Sequence, residues 1–261
     1  MHLFTSDLDR TLIFSKRSIG KEISGQICIE TIGSHEISYV TPKIRDSLCD
    51  VNNKMQFVPV TTRALEQYNR LQLFQNQINP EIVILANGGM ILRHGQIDDI
   101  WQKTIQQMMD DLSLPLSTFQ SYFKKQLAAP YFIEWKLVDE IFFLYFVDLQ
   151  KVDFLALEQF QQQIEACGWI SYLQGRKFYI LPQQLTKGAA VAYIKNQRDY
   201  ELHFAAGDSL MDKSMLQLAD YGFVPRHGEL VNYLDDASNM EIIEATGADF
   251  AEQCLSRINL L

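Results

Sequence analysis

The sequence holds no apolar run near the roughly 20 residues that a bilayer crossing needs. Its longest dense stretch, Ile141 to Val147, is the length of a strand, which speaks against a membrane protein. The opening segment MHLFTSDLD has no basic region leading into a long apolar one and carries acids at Asp7 and Asp9, unlike a secretory signal. Cysteine is scarce: Cys28, Cys49, Cys167 and Cys254 lie far apart without a CxxC pair. Neither a zinc knuckle nor a disulfide framework is suggested, and a reducing cytoplasm is the expected setting. Repeats and low-complexity segments are also missing, which excludes solenoids and disordered tracts.

Basic residues are outnumbered, 23 Lys and Arg against 32 Asp and Glu in 261 residues, for a net charge of −9. Nucleic-acid binding depends on clustered cations. Basic clusters are short, pairs such as Lys16-Arg17 and Lys124-Lys125, so no nucleic-acid partner is expected. An acidic chain that handles a phosphorylated anion needs a metal and a few placed cations.

What is present is an ordinary globular composition, 47% hydrophobic and 21% charged. Strand-like apolar runs alternate with helical periods, the pattern of an α/β sheet protein. Strands are expected at 2–6, 57–60 and 81–86, and a hairpin around Gly33-Ser34-His35 between residues 27 and 40. Thr41-Pro42 should cap and open a helix to about residue 51, and a second helix is expected at about 64–77. Residues 102–181 then read as helices followed by paired strands, twice over. From Thr186 the first texture resumes, with helices to about 196 and 218 and strands at 202–206 and 221–224. The expected organisation is an α/β core made of residues 1–88 and 184–261, interrupted by an α+β insertion at 89–183.

Asp7 and Asp9 follow the first strand, and open parallel sheets gather ligands at the carboxyl ends of their strands. Two carboxylates at i and i+2 in such a loop suit a nucleophile and a proton carrier, although aspartate is also ordinary turn chemistry there. Asp208 and Asp212 follow the strand 202–206 after Gly207 and would join them at the same sheet edge. Carboxylates converging in one crevice repel unless a cation neutralises them, and hard oxygen ligands select Mg²⁺. Thr61 and Thr62 end another strand and offer donors to a phosphate. Lys187 opens a helix, an unhelpful place for a cation. Taken alone it reads as a surface lysine; beside the carboxylates it suits a phosphoryl group.

These four segments, in this order, resemble the motifs of the haloacid dehalogenase superfamily: DLDRT at Asp7–Thr11, VTTR around Thr61, TKG with Lys187, and GDSLMD with Asp208 and Asp212. The insertion between the second and third motifs is similar to that of the Cof-type branch, which includes sugar-phosphate phosphatases. Asn87-Gly88-Gly89 resembles the Asn-Gly-Ala that leads into the cap of that branch. The resemblance implies a Rossmann-like parallel sheet with helices on both faces and an inserted α+β cap domain. It further implies a Mg²⁺-dependent phosphatase of a small phosphorylated metabolite, such as a sugar phosphate. In that scheme Asp7 attacks phosphorus to form an aspartyl-phosphate, and Asp9 protonates the leaving group and then activates water. Thr61, with Thr62 beside it, and Lys187 hold the phosphoryl oxygens. Asp7, the Asp9 carbonyl and Asp208 hold the metal, with Asp212 in support.

Two residues depart from that pattern: Arg10 stands where glycine is usual, and Thr62 where TGR is commoner. Arg10, Asn87, Lys136 and Arg176 are candidate substrate contacts, with Glu134 and Trp135 beside Lys136. The stretch 15–40 is longer than the usual link and reads as a flap or an edge extension. His35, His94 and His227 are expected at the surface, and His203 inside a strand. Alternatives to a phosphatase are a phosphomutase using the same first steps, a phosphoacceptor signalling domain and a non-catalytic metabolite-binding protein.

Overall fold

A computed structural model describes residues 1–234 and 239–260. The chain divides into two compact units, Met1–Asp98 with Thr186–Leu261, and Asp99–Leu185.

The first unit begins with β1 (Leu3–Ser6), the hairpin β2 (Ile27–Ile32) and β3 (His35–Val40), α1 (Pro42–Lys54) and β4 (Gln56–Pro59). It continues through α2 (Leu65–Asn69), β5 (Ile82–Leu85), β6 (Met90–Arg93) and β7 (Gln96–Ile97). The inserted unit holds α3 (Asp99–Asp110), α4 (Leu116–Tyr122), α5 (Lys124–Leu127), β8 (Phe132–Val138), β9 (Phe142–Val147), α6 (Phe154–Glu165), β10 (Trp169–Gln174) and β11 (Lys177–Pro182). The first unit is completed by α7 (Lys187–Lys195), β12 (His203–Ala206), α8 (Lys213–Leu216), β13 (Tyr221–Pro225), β14 (Met240–Ile243) and α9 (Gly247–Asn259).

Five strands form a parallel sheet in the order β14-β13-β12-β1-β4. Every residue of β1, β4 and β12 is buried, as a parallel sheet covered on both faces requires. On one face Phe4 stacks on Phe57 at 5.4 Å and joins Phe204, Phe223 and the apolar sides of α1 and α9. Helices α7 and α8 pack on each other, α8 also against β12 and β13. Helix starts follow local chemistry: Ile44 N–H donates to Thr41 Oγ1 at 3.1 Å and Ala189 N–H to Thr186 Oγ1 at 3.0 Å. In the inserted unit an antiparallel sheet, β10-β11-β9-β8, packs Trp169 and Phe178 against Phe119 of α4 and Phe160 of α6. Among the described residues no helix is long and apolar enough to cross a membrane.

Several expectations shift. Residues 90–97, placed by the sequence in the insertion, add β6 to β5 and β7 to β6, and belong to the first unit. The helix expected at 64–77 leaves α-geometry at Arg70, whose guanidinium reaches Glu30 and Glu66, and resumes as a π-helical turn at Phe74–Ile78. The helix expected before Leu218 opens with a 3₁₀ turn, Leu210–Asp212, because the Asp212 carboxylate folds back on the preceding amides. Strand β14 and helix α9 had no counterpart in the sequence reading.

Candidate active site

Asp7 leaves β1, Thr61 follows β4, Lys187 is the first residue of α7, and Asp208 and Asp212 follow β12. The parallel register puts the ends of β1, β4 and β12 side by side, since Ser6 pairs with both Pro59 and Ala206. Lys187 is buried to 1% exposure, contrary to the surface position its sequence neighbourhood suggests alone. Its Nζ donates to Asp7 Oδ1 and to Asp212 Oδ1, each at 2.6 Å. Asp7, Asp208 and Asp212 are all buried and each offers an oxygen within 4.8 Å of the others.

Three carboxylates face one ammonium, and their electrostatics follow. Burial pushes the Asp7 carboxyl up to about 7; Lys187 opposes the rise and Asp212 adds to it. Asp208 is likewise raised well above the usual carboxylate range by burial and then by Asp7 and Asp212. Burial disfavours the Lys187 ammonium, but Asp212 and Asp7 outweigh it and the pKa rises. The cluster therefore has an excess of negative groups in a low-dielectric place, the condition under which a divalent cation is held.

Asp212 has both oxygens engaged. Oδ1 takes Lys187, and Oδ2 accepts from the Asp208 and Ser209 amides at 3.0 and 2.8 Å and from Ser209 Oγ at 2.8 Å. Through these contacts it ties the loop after β12 to the lysine. Gly207 makes this possible: a Cβ there would stand 2.4 Å from that of Asp212. Thr11, whose part in the site went unassigned from sequence, donates its hydroxyl to Asp7 Oδ2 at 3.3 Å.

The Asp9 side chain does not join the three. It is half exposed and meets Arg63 in a fork, Nε to Oδ2 at 2.7 Å and Nη2 to Oδ1 at 2.8 Å. Arg63 also donates its backbone amide to Thr61 Oγ1 at 3.1 Å. Thr62 is half-buried beside it. Asn87 is buried with φ +58°, and its amide donates to the Thr61 carbonyl at 3.0 Å. A Cβ on Gly88 would meet the Thr186 carbonyl at 2.5 Å, so the turn after β5 can lie directly against the start of α7.

The backbone at Arg10 accounts for the glycine that is usual at this position. Its φ is +67°, the left-handed region where glycine is unstrained. His227, expected at the surface, is half-buried and supports it: Nε2–H donates to the Arg10 carbonyl at 2.9 Å while Nδ1 accepts from Gly247 N–H at 3.3 Å. The Arg10 guanidinium lies 3.4 Å from Asp208 Oδ2. Lys136 and Arg176, by contrast, belong to the inserted unit. Lys136 is exposed on β8 with its ammonium over the Phe146 ring at 5.8 Å, and Arg176 is exposed in the turn between β10 and β11.

Comparison with known proteins bears on the same arrangement. A family model described as sucrose-6F-phosphate phosphohydrolase matches residues 1–249. No curated protein matches the sequence. Among solved structures, the sucrose-phosphatase of Synechocystis sp. PCC6803, in complex with sucrose and phosphate, is 15% identical with a TM-score of 0.68, the alignment covering 98% of this chain and 97% of that one. A phosphatase of the haloalkanoate enzyme superfamily from Bacteroides thetaiotaomicron is 13% identical with a TM-score of 0.59, over 100% and 96% of the two chains. The C-terminal domain of trehalose-6-phosphate phosphatase from C. albicans is 11% identical with a TM-score of 0.60, over 100% and 92%. At these identities the structures speak for the fold, and the family match carries the rest. The chain belongs to the sucrose-6F-phosphate phosphohydrolase family and is a haloacid dehalogenase-type phosphoric monoester hydrolase acting on sugar phosphates.

Proposed function

We propose that this chain hydrolyses a small sugar phosphate in two displacements through an aspartyl-phosphate on Asp7, with Mg²⁺ as cofactor. The observation that carries the reading is the Lys187 bridge, a buried ammonium 2.6 Å from both Asp7 and Asp212 in a cluster that also holds Asp208. An Asp7 oxygen attacks phosphorus as the bond to the sugar oxygen breaks, and Asp9 gives that oxygen its proton. Asp9 then takes a proton from water, which attacks the same phosphorus and frees Asp7 and inorganic phosphate. Thr61 accepts from Arg63 N–H, so its own hydroxyl proton is left to donate to a phosphoryl oxygen. Lys187 offsets charge at the attacking carboxylate and on the phosphoryl group.

The residues fit a hard divalent cation. Asp7, Asp208 and Asp212 are three buried carboxylates against the Lys187 ammonium and the half-exposed Arg10 guanidinium, and their oxygens lie close enough together to share an ion. Asp7, Asp208 and the Asp9 carbonyl would hold Mg²⁺, with Asp212 orienting them. When bound, the ion supplies neutralisation of the carboxylates and Lewis-acid polarisation of a phosphoryl oxygen.

The family description makes sucrose 6F-phosphate the first substrate to try. Discrimination among sugars is assigned to Glu134, Lys136 and Arg176 of the inserted unit and to Arg10 and Asn87 of the first unit. The experiment is phosphate release with Mg²⁺ over sucrose 6F-phosphate, trehalose 6-phosphate and hexose phosphates, for wild type and Asp7→Asn. Wild type should turn over at least one of them, and Asp7→Asn should lose about 10³-fold or more. Release by folded Asp7→Asn within tenfold of wild type would exclude Asp7 as the nucleophile.

A further inference from the structure

The hairpin β2–β3 reaches the site through Glu30 and Ser38, both of which meet Arg63. Glu30, from β2, is 1% exposed, a place where an isolated charge is too costly to persist. Its Oε2 accepts from Ser38 Oγ at 2.6 Å and from Arg63 Nη1 at 2.9 Å, and its Oε1 from Arg70 Nε at 3.1 Å. Ser38 belongs to the partner strand β3, so both strands of the hairpin contribute. Arg63 spends its other two nitrogens on the two oxygens of Asp9. The result is a continuous chain, Ser38–Glu30–Arg63–Asp9, running from the hairpin to the proton carrier.

We propose that Glu30 and Arg63 are positioning residues that set the rotamer of the Asp9 carboxylate, and that the hairpin serves this by supplying Glu30 and Ser38 to hold Arg63. A half-exposed aspartate on a loop samples several rotamers. A guanidinium bound bidentately restricts it to one plane, provided the guanidinium is itself fixed. Arg63 is mostly buried and is held on its far side by Glu30, which Arg70 neutralises and Ser38 orients. Proton transfer to the leaving oxygen needs the donor within hydrogen-bond reach as the phosphorus–oxygen bond breaks. The inference rests on the reading of Asp9 as that donor.

The test exploits a difference between leaving groups. p-Nitrophenolate departs without a proton, whereas a sugar alkoxide requires one. The quantity measured is the ratio of kcat/KM for p-nitrophenyl phosphate to kcat/KM for a sugar 6-phosphate. Asp9→Asn should raise that ratio by about 100-fold, in the usual range for a lost general acid. Arg63→Gln should raise it about tenfold, and Arg63→Lys, which keeps the charge without the fork, by less. Glu30→Gln and Ser38→Ala, which act on Asp9 only through Arg63, should shift it in the same direction. Ser38→Ala removes a single hydroxyl, so it keeps the test open if Glu30→Gln fails to fold. If Asp9→Asn raises the ratio while the Arg63 and Ser38 variants lower both substrates equally, the chain is merely structural and the proposal fails alone. An unchanged ratio in Asp9→Asn removes the donor assignment and the proposal together.

Discussion

The Lys187 ammonium donates to the Asp7 carboxylate at 2.6 Å across 180 residues of sequence, and it is the same ammonium that holds Asp212. One lysine at the start of α7 thereby ties the loop after β1 to the loop after β12. Its burial makes the tie stiff, because no water competes for its protons.

Replacing it tests that tie. Lys187→Met keeps the aliphatic bulk but leaves Asp7 and Asp212 buried without their counter-ion, so stability should drop by about 3–5 kcal/mol. Adding Mg²⁺ should restore part of the loss, because a cation at the carboxylates substitutes for the missing charge. Phosphate release should remain about 10²–10³-fold down even so, since the ammonium is also needed at the phosphoryl group. Urea unfolding with and without Mg²⁺, beside a phosphate assay, reads all three quantities.

Mg²⁺ should stabilise the wild type through the same cluster. A ligand at 100 times its dissociation constant adds about 2.7 kcal/mol to the folded state, so a clear rise in Tm is expected. Activity should vanish with chelator and return with the metal. In Asp208→Asn the rise in Tm should disappear while the protein remains folded. A shift that survives Asp208→Asn unchanged would move the metal away from Asp7 and Asp208.

Arg10 gives a prediction from backbone strain. At φ +67° a side chain is disfavoured and glycine is not. Arg10→Gly should therefore be more stable than Arg10→Ala by about 1 kcal/mol, the reverse of the order in a helix. Chemical denaturation of the two variants settles the sign.

His203 sets a pH dependence away from the site. Burial lowers its pKa from 6.5 to about 4, with a further push from Lys195, against the Leu218 carbonyl and Asp220, which raise it. Thr5 Oγ1 stands 2.8 Å from its Nε2. The folded state thus keeps the ring neutral at a pH where the unfolded chain protonates it. The contribution is fully present above pH 6.5 and is lost as the pH falls towards 4. In unfolding measurements the wild type should lose about 3 kcal/mol relative to His203→Gln between pH 7 and pH 4. A constant difference between the two proteins over that range would refute it.

The sequence by itself marked the candidate carboxylates and their companions. Asp7, Thr61, Lys187 and Asp208 each sit at the end of a strand run or the start of a helix, and that pattern is written within a few residues of each. It also determined the α/β class, because alternating periods are local. The hairpin at 27–40 and the cap of α1 by Thr41 were legible for the same reason.

Only the tertiary structure decided how the side chains pair. Arg63 finds Asp9 54 residues away and Glu30 33 residues away, and His227 reaches Arg10 across 217. No spacing rule encodes such partners, since they depend on which loops the parallel sheet brings side by side. Taken alone Lys187 reads as a surface lysine, because helix starts are usually solvated; its burial follows from where α7 meets the loops after β1 and β12. Likewise the π-helical turn at Phe74–Ile78 and the return of residues 90–97 to the first unit answer to packing and strand pairing. Local propensity names the elements, and long-range contacts decide where each ends and which charge it faces.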